Sequence, residues 1–152
     1  MERVEPCNLI ETPTPAITTV VDESLLGCRI LVVDDRRDIR FLSRRILSSA
    51  GASVEEAEDG QFALDFIRDR LAVSNPPHLV LLDMQMPNLD GYETAARLRD
   101  IGFIGPIIAL TADAMQGDMN RCLEAGCNEY LSKPIDARRL IRLVAELTKR
   151  SH

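Results

Sequence analysis

The sequence predicts an α/β fold in which five short strands alternate with five helices. Five aliphatic, β-branched segments are each followed by a segment whose hydrophobic residues recur at helical spacing. Strict alternation of this kind produces a parallel sheet, because every crossover helix must pack back onto the sheet. We therefore expect a doubly wound sheet with helices on both faces, in which ligands bind where the strands end.

The first half of the chain contains two strand and helix units. Residues 28–34 (CRILVVD) form an aliphatic run that is too short for a buried helix and predicts a strand covered on both faces. The hydrophobic residues of the helix that follows are Ile39, Leu42, Ile46 and Leu47. That helix ends before Gly51, a typical stop residue. A second strand near residues 52–57 precedes a helix over residues 61–71.

Three further units complete the chain. Their predicted elements are a strand ending at Asp83, a helix over residues 92–98, a strand over residues 106–110 ending at Thr111, a helix over residues 114–124, a strand over residues 128–132 and a helix over residues 137–149. Gly126 marks the end of the fourth helix, and Asp136 is placed to cap the last one.

Composition excludes several classes of protein. The chain has 152 residues, of which 45% are hydrophobic and 28% charged, as in one ordinary globular domain. Its apolar runs fall far short of the roughly 20 residues that cross a bilayer, and its N-terminus does not resemble a secretory signal. Basic stretches with interleaved aromatic residues are absent, which argues against nucleic-acid binding. We expect a cytoplasmic segment without membrane contact, whose cysteines are free thiols.

Most of the formal net charge of -6 lies in the N-terminal segment, residues 1–26, which we interpret as a tail or linker. Five acidic residues stand there against a single arginine, and the stretch ETPTPAITTV favours neither a helix nor a strand. Residues 27–150, by contrast, have nearly balanced charge and carry all the predicted elements. We therefore assign the folded domain to residues 27–150.

Five polar residues stand where the predicted strands end. Asp34 and Asp35 follow the first strand, Asp83 the third, Thr111 the fourth and Lys133 the fifth. Clustered carboxylates repel one another, and a hard divalent cation such as Mg²⁺ supplies the missing counter-charge. An aspartate can act as a nucleophile on phosphorus, and a metal, a lysine and a hydroxyl can neutralise the transferred group. This edge therefore predicts phosphoryl chemistry.

Four motifs stand at these strand ends: ILVVDD at residues 30–35, LVLLDMQMPNLDG at residues 79–91, IIALTA at residues 107–112 and YLSKP at residues 130–134. Together they resemble the receiver domain of two-component response regulators. The resemblance extends over about residues 28–149 and does not include the N-terminal segment. It implies a flavodoxin-like fold with the strand order 2-1-3-4-5.

The resemblance also implies roles for the polar residues. Asp83 would accept the phosphoryl group. Asp35 and Asp83 would bind Mg²⁺, for which Mn²⁺ can substitute, and Asp34 would act mainly through metal-bound water. Lys133 would contact the phosphoryl group, and Thr111 would swing in to hydrogen-bond it.

Three neighbouring positions match the same pattern. The backbone carbonyl of Gln85 would be a further metal ligand. Tyr130 would be an aromatic switch that turns inward as Thr111 moves. Pro134 matches a position where the bond to the preceding lysine is usually cis, which would aim Lys133 into the pocket.

The implied partners are a histidine kinase, a histidine phosphotransfer domain, or both, with a phosphorylation-dependent homodimer as a further state. The stretches QMPNLDGYE, LTADAM and AGCNEYLSKPI are more similar to receivers of hybrid histidine kinases than to those of transcription factors. The parent protein would then be a histidine kinase. The domain alone would only phosphorylate and dephosphorylate itself at Asp83.

Three alternatives stay open. The chain can be a stand-alone single-domain response regulator. A haloacid-dehalogenase-like aspartyl-phosphate phosphatase would need a second aspartate two residues after the nucleophile, where this chain has Gln85. A phosphorylation-independent interaction domain usually lacks part of the acidic pocket, which is complete here. A lone aspartate at a strand end can also be a helix cap, but capping does not require the pair Asp34 and Asp35.

Overall fold

Ten elements alternate along the chain as strand and helix. The structure is a computed structural model that describes residues 24–112 and 116–149. The strands are β1 (Arg29–Val33), β2 (Ser53–Ala57), β3 (Leu79–Asp83), β4 (Ile107–Thr111) and β5 (Glu129–Ser132). The helices are α1 (Arg37–Ser49), α2 (Gly60–Ala72), α3 (Gly91–Asp100), α4 (Gln116–Ala125) and α5 (Ala137–Lys149). All pairings are parallel, in the order β2-β1-β3-β4-β5, which confirms the predicted fold.

Helices cover both faces of the sheet. Ile30 and Val32 of β1 face α1 and α5, whereas Leu31 and Val33 face the layer formed by α2, α3 and α4. This division follows from the alternation of side chains along a strand. Strands β3 and β4 are buried at every residue, which explains why they are continuous hydrophobic runs in the sequence.

Capping residues set the ends of the helices. Asp59 accepts a backbone N–H of α2 at 2.7 Å, and Asp90 accepts one of α3 at 2.9 Å. Gly51 after α1 and Gly126 after α4 have φ angles of +99° and +115°, a conformation that favours glycine. Both predicted stop residues therefore lie directly beyond helix ends.

Helix boundaries differ from the predictions by small amounts. Both α2 and α3 begin at a glycine, one residue before the predicted starts, because the preceding aspartate caps them. The α5 bounds agree with the predicted residues 137–149. The predicted fourth helix begins at residue 114, but residues 113–115 lie outside the described part of the chain.

Leu25 packs with the folded domain although it belongs to the segment 1–26 that the sequence assigns to the tail. Its side chain is 1% exposed within the core beside α1 and α5, and its N–H donates to the carbonyl of Ala50 at 3.0 Å. We therefore include Leu25 in the domain. Residues 1–23 of the proposed tail lie outside the described residues.

A half-buried arginine connects two loops at the edge of the sheet where β4 and β5 begin. The guanidinium of Arg99 donates to the carbonyls of Phe103, Gly105 and Gly126 at distances of 2.7–3.1 Å. It also donates to Oδ1 of Asn128 at 2.9 Å. The contacts attach the C-terminal end of α3 to the segments that lead into both strands.

Three of the four cysteines lie in the described residues, and Cys28, Cys122 and Cys127 are all buried. Burial raises the pKa of Cys127 to about 12, with a further contribution from Cys122. Among the described residues, no helix combines the length and the apolar character needed to cross a bilayer.

Candidate functional site

Three carboxylates meet where β1 and β3 end. These strands are neighbours with Val33 opposite Leu82, so Asp34 and Asp83 follow side by side. One oxygen each from Asp34, Asp35 and Asp83 lies within 4.8 Å of the others. Asp34 and Asp83 are each 1% exposed, whereas Asp35 is exposed to solvent. Two carboxylates of the cluster are therefore buried, and the third faces solvent.

Each buried carboxylate has one oxygen that accepts a hydrogen bond and one that accepts none. Oδ1 of Asp34 accepts the N–H of Arg36 at 2.9 Å, and Oδ1 of Asp83 accepts the N–H of Gln85 at 3.1 Å. Oδ2 of Asp34 and Oδ2 of Asp83 are buried without a hydrogen bond. A buried polar atom left in this state costs about 1–3 kcal/mol. A bound cation would relieve that cost at both oxygens.

Lys133 faces both buried carboxylates. Its Nζ lies 3.4 Å from Oδ1 of Asp83 and 4.0 Å from Oδ2 of Asp34. Because β4 separates β5 from β3, the lysine side chain reaches across the end of β4. The peptide bond between Lys133 and Pro134 is cis. One ammonium group stands against three carboxylates, so the site keeps an excess of negative charge.

The environment of Asp34 disfavours its ionised form. Burial raises its pKa to about 6, and repulsion from Asp83 acts in the same direction. The hydrogen bond from the N–H of Arg36 and the positive charge of Lys133 lower the pKa in part. A carboxylate in this position gains from a divalent cation, which stabilises the ionised form.

Thr111 and Tyr130 lie on the same face of the sheet, on the neighbouring strands β4 and β5. Thr111 is 3% exposed at the end of β4, where its carbonyl accepts the N–H of Lys133 at 2.7 Å. Tyr130 is opposite Ala109, two residues before Thr111, and is half-buried in the core beneath α2, α3 and α4. Gln85 contacts Asp83 through its N–H, and the metal-binding role of its carbonyl stays a prediction.

The donor set suits Mg²⁺. The three side chains offer only oxygen atoms, the ligands that Mg²⁺ prefers, and the exposed carboxylate leaves room for metal-bound water. The two unpaired buried oxygens are acceptors without a donor. The residues present therefore fit a hard divalent cation with an open side for a phosphoryl group.

The roles of two residues at the site could not be predicted from the sequence. A Cβ at Gly91 would collide with the carbonyl of Asp83 and with Met84, so α3 can start this close to the end of β3 only with glycine. Arg40 of α1 donates from Nη1 to the carbonyl of Asp34 at 2.7 Å. The motif MPNLDG signals a turn at Gly91 but not this approach, and Arg40 has no feature that separates it from the other arginines of α1.

Residues 30–145 match the family model described as the response regulator receiver domain. The chain belongs to this family. Among curated relatives, the two-component response regulator ORR41 of Oryza sativa subsp. japonica is 37% identical over 120 residues, which cover 78% of this chain and 92% of the rice protein. The match thus extends over almost the whole of that regulator.

Histidine kinases also contain a segment similar to this receiver domain. Probable histidine kinase 2 of Oryza sativa subsp. indica is 36% identical over 146 residues, 88% of this chain but only 14% of the kinase. The solved receiver domain of the histidine kinase CKI1 from Arabidopsis thaliana, complexed with Mg²⁺ and BeF₃⁻, has a TM-score of 0.77 and 29% identity. That match covers 85% of this chain and 95% of the CKI1 chain.

A bacterial receiver has the same architecture. The receiver domain of the Francisella response regulator 1452 has a TM-score of 0.74 and 29% identity, over 83% of this chain and all of that one. Receiver domains with this fold are therefore similar to the present chain in both plant and bacterial signalling proteins.

Proposed function

We propose that this receiver domain accepts a phosphoryl group on Asp83 from a phosphohistidine partner in the cytoplasm, with Mg²⁺ bound by Asp34, Asp35, Asp83 and the carbonyl of Gln85. The observation that carries the proposal is the pair of unpaired buried oxygens at Asp34 and Asp83, beside the ammonium group of Lys133. Mn²⁺ would replace Mg²⁺ at the same oxygen ligands.

Asp83 is the nucleophile in this proposal. A carboxylate oxygen of Asp83 forms a bond to phosphorus while the bond from phosphorus to the histidine nitrogen breaks, and the imidazole keeps that electron pair and takes up a proton. Mg²⁺ supplies positive charge to the transferring oxygens. Lys133 would neutralise a further part of that charge, and its 3.4 Å contact with Asp83 supports this role.

The added charge would then switch the surface around β4 and β5. A phosphoryl group at Asp83 offers strong acceptor oxygens that carry about 1.5 to 2 negative charges. The Thr111 hydroxyl at the end of the adjacent strand would donate to it. Tyr130, on the neighbouring strand β5, lies on the same face of the sheet as Thr111. It would move inward as Thr111 shifts, which would change the surface that a partner recognises.

Intact mass spectrometry tests the acceptor assignment. Wild-type protein incubated with acetyl phosphate and Mg²⁺ should gain one phosphoryl group, and Asp83→Asn should gain none because its amide is not a nucleophile. Asp38→Asn is the control, since Asp38 is an exposed acid of α1 in an ion pair with Arg36. Undiminished phosphorylation of Asp83→Asn would refute the assignment.

We further propose that the domain belongs to a hybrid histidine kinase and passes its phosphoryl group to a phosphotransfer protein. The match to the rice histidine kinase covers 88% of this chain, whereas the match to the stand-alone rice regulator covers 78%. An antibody against this chain should detect a polypeptide far longer than 152 residues in the source cells. A band at the size of the chain itself would favour the single-domain regulator.

A phosphorylation-dependent homodimer is a separate consequence to measure. Light scattering should show a larger mass with Mg²⁺ and beryllofluoride than with Mg²⁺ alone if the phosphorylated surface pairs two copies. An unchanged mass would leave the phosphorelay partners as the targets of the switch.

A further inference from the structure

Arg40 joins the metal-binding loop to β2. Its guanidinium donates from Nη1 to the main-chain carbonyl of Asp34 at 2.7 Å and from Nε to Oε1 of Glu56 at 3.2 Å. Its side chain is 14% exposed, so packing as well as hydrogen bonding holds it. Glu56, the last residue but one of β2, also accepts a hydrogen bond from Arg44 at 2.9 Å. The guanidinium is thus held between two fixed acceptors.

The carbonyl that Arg40 binds belongs to the peptide group between Asp34 and Asp35. Fixing the plane of a peptide group fixes the direction in which the chain continues. The other groups of Asp34 are already fixed, because its N–H donates to Ala57 and its Oδ1 accepts the N–H of Arg36. Asp35 is exposed, so packing does not set its direction. The orientation of Asp35 therefore depends on the two peptide groups that flank it. Oδ1 of Asp34 holds the N–H of the second one, and Arg40 holds the carbonyl of the first.

We propose that Arg40 is a positioning residue that sets the orientation of Asp35 relative to Asp34 and Asp83 for Mg²⁺ binding. This inference rests on the proposed function of the acidic cluster. Arg40 does not touch the cation or the phosphoryl group in this role. It acts through one carbonyl, and Glu56 holds it in place.

Arg40 should affect Mg²⁺ binding through the position of Asp35 rather than through its charge alone. The guanidinium contacts a carbonyl and a carboxylate, and the negative charge of Glu56 offsets its positive charge. Mg²⁺ requires near-ideal octahedral geometry, whereas Ca²⁺ accepts flexible coordination with more ligands. A misplaced Asp35 should therefore weaken Mg²⁺ binding much more than Ca²⁺ binding. A general loss of charge or of folding would weaken both.

Titration calorimetry with Mg²⁺ and, separately, with Ca²⁺ tests this difference. Arg40→Gln should bind Mg²⁺ about 10-fold more weakly, the loss typical for residues that support metal ligands, while its Ca²⁺ affinity changes less than about 2-fold. Arg40→Lys keeps the charge and can reach only one of the two acceptors, so it should show an intermediate loss for Mg²⁺. The control Arg44→Gln removes the other partner of Glu56 and should leave both affinities unchanged.

Equal losses for the two cations, or no loss for Mg²⁺ in Arg40→Gln, would overturn the positioning role while the proposed function stands. A wild-type chain that binds no Mg²⁺ would instead refute the metal site itself, and the positioning role with it. Circular dichroism verifies folding of each variant. If neither Arg40 variant folds, the Mg²⁺ and Ca²⁺ affinities of Glu56→Ala decide instead. This variant keeps Arg40 but removes the carboxylate that holds its guanidinium.

Discussion

At the edge of the sheet where β4 and β5 begin, Arg99 donates to four oxygen acceptors, whereas at the edge where β1 and β3 end, Asp34 and Asp83 each keep a buried oxygen without a donor. Both edges bury charge, which is unfavourable unless hydrogen bonds or counter-ions compensate. The first arrangement stabilises the fold by itself. The second is complete only when something else binds, which is the property expected of a functional site.

The largest expected effect on stability comes from removing the Arg99 hydrogen bonds at the edge where β4 and β5 begin. Arg99→Met should lower the free energy of unfolding by about 2–3 kcal/mol, because three loop carbonyls lose their charged donor. Urea denaturation measures the change. Arg97→Met is the matched control, since Arg97 lies on the same helix in an exposed ion pair with Glu93, and its loss should stay under about 0.5 kcal/mol. An equal loss of unfolding free energy in Arg99→Met and Arg97→Met would show that the Arg99 hydrogen bonds do not stabilise this edge.

The acidic edge should respond in the opposite direction. Asp34→Asn should raise the free energy of unfolding by about 1 kcal/mol in EDTA, because it removes a desolvated carboxylate that Asp83 repels. Mg²⁺ should stabilise the wild type by mass action and the variant much less, so the difference shrinks or reverses. Thermal unfolding followed by circular dichroism measures both. A variant less stable than the wild type in EDTA would show that the carboxylate supports the fold.

An effect of similar size concerns Cys127, which lies beside Arg99 at the edge where β4 and β5 begin. Its folded pKa of about 12 exceeds the usual thiol value, so the folded state favours the protonated thiol. The stability from this group is complete below about pH 9 and declines as pH rises toward 12. The penalty of Cys127→Ala should therefore be about 1 kcal/mol smaller at pH 10 than at pH 8. Denaturant unfolding at both pH values measures it, and a constant penalty would contradict a buried, protonated thiol.

The strand ends show what could be predicted from sequence. Asp34, Asp83 and Lys133 were identified because parallel strands bring their carboxyl ends to one edge, so local patterns determine which residues meet. Local glycine signals likewise predict the helix stops at Gly51 and Gly126, whereas the strand order follows only from the resemblance to receiver domains. The strand ends and the helix stops depend on short segments whose structure is set largely by their own residues.

Contacts between distant segments could not be predicted in this way. Arg40, Arg99 and the close approach at Gly91 depend on how helices pack over the sheet. In the sequence Arg40 is one of several arginines in the same helix, and nothing local distinguishes it. Leu25 shows the same limit at the domain boundary, because its burial depends on the position of Ala50.

Gly91 has a consequence for the direction of movement after phosphorylation. The start of α3 lies against the carbonyl of Asp83, with no space even for a methyl group, and the N–H of Gly91 donates to the carbonyl of Met84 at 3.2 Å. The end of β3 therefore has a rigid support on this side. If Asp83 accepts a phosphoryl group as proposed, we expect the resulting displacement to pass toward β4 and β5 rather than toward α3.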